Sequence, residues 1–97
     1  MRASSSREEE RMQTYLSAHD EFVTWLDGLP NTPTSAEIDR RLRALALCAA
    51  SRGMTAVHWA FVVDGLIAYV KRKWPANHEL ASAVARGFDI SGQWAAL

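Results

Sequence analysis

The side chains that come closest to doing chemistry in this 97-residue chain are His19, His58, His78, Cys48 and the neighbouring acids Asp20 and Glu21. Zinc demands a second ligand at a set spacing, as in H-E-x-x-H, where two rings share one helix face. No histidine here has such a partner, and each falls in a different predicted helix. Cys48 stands alone, so it makes neither an internal disulfide nor a thiolate zinc site, which points to a reducing compartment. In an Ala-rich segment it reads as a small core hydrophobe. Asp20 and Glu21 are adjacent on a helix and project about 100° apart, the wrong geometry for two carboxylates flanking one bond. No nucleophile elbow, phosphate loop or dinucleotide fingerprint occurs. The expectation is a chain without catalytic residues, metal, cofactor or small-molecule substrate, and not an enzyme.

Recognition of nucleic acid is the next chemistry to weigh. Arg40, Arg41, Arg43 and Arg52 form one basic group, and Lys71-Arg72-Lys73-Trp74 forms another. Eleven Lys and Arg are balanced by eleven Asp and Glu, whereas phosphate binding draws on excess positive charge. The run Ala49-Ala50-Ser51-Arg52-Gly53-Met54-Thr55 looks like a helix-turn-helix junction. The helix after it, however, opens Val57-His58-Trp59-Ala60-Phe61-Val62-Val63, where a recognition helix would present Arg, Asn, Gln or Lys to base edges. Cations at the end of that helix offset its carbonyl dipoles. No direct binding of nucleic acid is expected.

Four tryptophans, Trp25, Trp59, Trp74 and Trp94, carry more information, because Trp is enriched in binding hot spots. They sit in a chain that is 48% hydrophobic, with prolines only at 30, 33 and 75. The long stretches between these breakers have helical periodicity and no strand-like alternation, so the predicted fold class is all-α, a small bundle of about four helices. Residues 1–6 are expected to be disordered and 7–97 to form a single helical domain.

Helix one is predicted from Arg7 to Leu26, with Met12, Tyr15, Leu16, His19, Val23 and Leu26 as the core arc. Beside that arc runs a second stripe, Ala18, Phe22, Trp25 and Leu29, surplus to one packing partner and therefore a candidate protein interface. Helix two opens on a capping-box pattern at Thr34 and Glu37 and buries Ile38, Leu42, Leu45 and Ala49, while Leu47 falls on the solvent side. Helix three is capped by Thr55 and stopped by Pro75. Its broad apolar face, Trp59, Val62, Val63, Leu66, Ile67, Val70 and Trp74, is opposed by Val57, Phe61 and Ala68. A helix apolar nearly all round needs cover on several sides, which predicts a homodimer. Asn77 caps helix four, with Leu80, Ala81, Val84, Ala85 and Phe88 facing inward. Ile90, Trp94 and Leu97 form an apolar tail, the second candidate interface. Residues 1–29 carry a net charge of −3 and residues 30–74 of +4, favouring antiparallel packing of helix one on the basic helices or pairing between subunits.

The N-terminus runs into Glu8-Glu9-Glu10 with no apolar core, unlike a signal peptide. The most apolar stretch, 56–70, is interrupted by His58 and Asp64 and is shorter than the ~20 residues of a membrane span. No membrane association is expected, and a cytoplasmic location follows.

Two stretches, EEERMQTYLSAHDEFVTWLDGLP (8–30) and AVHWAFVVDGLIAYVKRKWP (56–75), in a short, neutral, Arg-rich helical chain, resemble the quorum-sensing antiactivators of bacteria. The resemblance implies a regulator of transcription that binds a LuxR-type receptor and blocks its dimerisation and DNA binding. It assigns no residue a role. The alternative that the residues themselves leave open is a helical subunit or inhibitor of a nucleoprotein complex, using the Arg and Lys groups.

Overall fold

A computed structural model describes residues 16–97 of the chain. Helix α1 occupies 16–27, followed by α2 (Ser35–Ser51), α3 (Ala56–Lys73), α4 (His78–Ala85), α5 (Gly87–Ser91) and a closing 3-10 turn (Trp94–Ala96), with no strand among the described residues. The fold is an all-α small bundle. The expected disorder of residues 1–6, the start of helix one at Arg7, and Met12 and Tyr15 lie outside the described residues.

Local chemistry sets the helix ends. Thr34 and Glu37 form the capping box at the start of α2, the Thr34 hydroxyl accepting from the Glu37 N–H and the Glu37 carboxylate accepting from the Thr34 N–H. Gly53 ends the same helix at φ +90°, a left-handed conformation that glycine adopts without the steric penalty of a Cβ. Thr55 caps α3 by accepting from the His58 N–H, and Asn77 caps α4 by accepting from the Leu80 N–H.

Packing places α4 and α5 between α2 and α3, each touching both. Ile38, Leu42, Leu45 and Ala49 of α2 are buried as the periodicity predicts, as are Trp59, Val62, Val63, Leu66 and Val70 of α3. The predicted fourth helix is in fact two. It breaks at Arg86, and Gly87 restarts it as α5, wedged so closely that an added Cβ would meet Val63 at 2.9 Å and Leu42 at 3.6 Å. This break turns Phe88, expected inside, outward to solvent, and sends Ile90 into the core.

Helix α1 is the second difference. Its buried residues are Ala18, Phe22 and Leu26, with Val23, Trp25 and Leu29 packed against the core. Leu16 is exposed, and His19 and Val23 are only half-buried. The core face therefore combines Leu26 of the predicted core arc with Ala18 and Phe22 of the stripe assigned by sequence to an interface. Phe22 brings a large ring inside at no polar cost, whereas burying His19 would strand its ring nitrogens.

Candidate protein-binding surface

The residues expected to form an interface are largely core. Ala18 and Phe22 are buried, and Trp25 stacks edge-on against Phe22 with ring centroids 5.3 Å apart while Arg41 lies over its other side, 5.7 Å from the centroid. Leu29 is half-buried. In the tail, Ile90 is buried and Trp94 is docked, its indole N–H donating to the Met54 carbonyl at 2.7 Å. Of the three expected interface residues there, Leu97 alone is exposed. Ala18, Phe22 and Ile90, expected at an interface, are buried in the packing of this one chain.

The uncovered apolar surface lies elsewhere. Val57 is 65% exposed, Phe61 57% and Leu16 50%. Val57, Phe61 and Ala68 recur at i, i+4 and i+11, so they form one ridge along the outer face of α3. Leu16 is exposed on α1, the helix that lies beside α3. The His19 ring sits over Gly65, where an added Cβ would be 3.2 Å away, and Asp27 reaches Tyr69 and Lys73. Residues 19 and 27 of α1 thus pair with 65 and 69–73 of α3, and the two helices run in the same direction. One turn back from each contact are Leu16 and Phe61. The charge asymmetry of the chain is realised here as a parallel pairing of α1 with α3, where antiparallel packing is the expectation from charge.

The two helices are pinned at their C-terminal ends by a charged cluster. Asp27 Oδ1 accepts from Lys73 Nζ at 2.6 Å and from the Tyr69 hydroxyl. The bond from Lys73, followed by that from Tyr69, lowers the Asp27 pKa. The same bonds to Asp27 raise those of Tyr69 and Lys73. Lys73 also lies 5.3 Å from the centroid of the Trp74 ring, giving that indole a structural neighbour.

An acid interrupts the apolar ridge. Asp64 lies between Phe61 and Ala68 on the exposed side of α3, and Asp20 follows Leu16 by one turn on α1. Beyond Ala68 the sign changes at Lys71 and Arg72. Arg40, Arg41 and Arg43 belong to α2 and Arg52 follows at its C-cap; Leu47 is exposed on the same helix, and so is Cys48, which is corrected from the core hydrophobe expected of it. Sequence periodicity set Val57, Phe61 and Ala68 apart from the core face, but the part played by Leu16 depends on the seating of α1, which no periodicity encodes.

Among the described residues, no three His, Cys, Asp or Glu side chains converge on a possible metal position, and no buried side-chain polar atom lacks a partner. No described helix is long and apolar enough to cross a membrane. Comparison of the chain with protein-family models, with curated proteins and with solved structures gives no match.

Proposed function

We propose that the chain is a non-enzymatic, protein-binding regulator: an antiactivator that binds a LuxR-type transcription factor and blocks its dimerisation and DNA binding. The observation that carries the protein-binding part is the set of large apolar side chains Leu16, Val57 and Phe61, left exposed beside the core that the described residues form. The receptor as partner comes from the sequence resemblance alone. We further propose that the chain acts as a homodimer. Phe88 and Leu97, exposed on the C-terminal segment, supply apolar surface for a second copy apart from the ridge.

The test mixes the full chain with a ligand-loaded LuxR-type receptor and follows receptor mass by light scattering and operator binding by mobility shift. The expected outcome is a mixed complex in place of the receptor dimer, with the shifted DNA band lost at stoichiometric amounts. An unchanged DNA band in excess chain rejects the antiactivator reading. The exposed Arg40, Arg43 and Arg52 favour one rival, a subunit of a nucleoprotein complex. That rival requires the chain itself to bind nucleic acid with an affinity falling steeply in salt.

A further inference from the structure

We draw no further inference here: the strongest candidate, the exposed outer face of α3 formed by Val57, Phe61 and Ala68, is interrupted by Asp64, and nothing in the structure shows what covers it.

Discussion

Trp59 and Trp94 stack with ring centroids 5.5 Å apart, and each gives its indole N–H to a backbone carbonyl, Trp59 to Gly87 at 2.8 Å and Trp94 to Met54 at 2.7 Å. The pair closes the bundle. Trp59 fixes the start of α5, and Trp94 folds the C-terminal turn onto the α2–α3 junction. Trp94→Phe keeps a ring on Trp59 but removes the donor to Met54, a loss of about 1 kcal/mol. Trp94→Ala loses the ring as well and should cost about 2 kcal/mol, less than the ~3–5 kcal/mol of a fully buried aromatic. Urea midpoints of the two variants check this order. An unchanged midpoint for Trp94→Ala would mean that the tail is undocked in solution.

Phe22 and Phe61 offer a direct contrast between core and surface. Phe22 is wholly buried, so Phe22→Ala should cost about 3–5 kcal/mol and leave this small domain largely unfolded. Phe61→Ala removes a mostly exposed ring and should change stability by no more than about 0.5 kcal/mol. Thermal melts followed by circular dichroism separate the two. Matching losses would place Phe61 in the core and remove the ridge.

The Asp27 cluster predicts how stability responds to pH. Asp27 has its pKa lowered in the folded chain, so its contribution is present above the ordinary carboxylate range and is lost as the pH falls through the folded value. Lys73 is raised, so its contribution is complete below the ordinary lysine value and is lost as the pH rises through the folded one. Tyr69, also raised, follows the same alkaline course. Asp27→Asn should flatten the melting temperature against pH at both extremes. It should also bring Tyr69 back towards ordinary phenol behaviour in an ultraviolet titration. An alkaline tyrosine titration identical in the two proteins would show that the cluster does not form.

The fold was legible in the sequence where one local rule decides. The Thr34–Glu37 capping box, the Thr55 and Asn77 caps and the inner stripe of α2 each depend on residues within one or two turns. It was less legible where two readings share a period. Helix α1 carries two apolar stripes side by side, and periodicity weights Leu16, His19 and Val23 equally with Ala18, Phe22 and Trp25. The cost of burying the His19 ring is the signal that favours the second stripe. The break at Arg86 was illegible for another reason: Gly87 reads as a weak helix end until Val63 and Leu42 close on it. The candidate surface was half legible, its α3 residues standing opposite the core face while the exposure of Leu16 depends on how α1 is seated.

Two glycines in close packing should respond in opposite ways to an added methyl. At Gly87 the new Cβ would lie 2.9 Å from Val63 Cγ2, a contact too short to persist. Val63 is buried, and a β-branched side chain on a helix has one preferred rotamer, so it has nowhere to turn. Either α5 or Val63 must shift, and Gly87→Ala should cost about 1–3 kcal/mol. It should also lengthen the Trp59–Gly87 hydrogen bond, seen as a change in tryptophan emission. At Gly65 the neighbour is the half-buried His19 ring at 3.2 Å, and a few tenths of an ångström suffice. That ring borders solvent and moves by a small side-chain rotation, while alanine within α3 gains about 0.5–1 kcal/mol of helix propensity over glycine. Gly65→Ala should therefore leave stability equal to wild type or raise it by up to about 1 kcal/mol. Equilibrium urea unfolding of both variants tests the pair. A Gly65→Ala protein destabilised as much as Gly87→Ala would mean that His19 is rigidly held, and that α1 lies on α3 through a fixed contact and not an adjustable one.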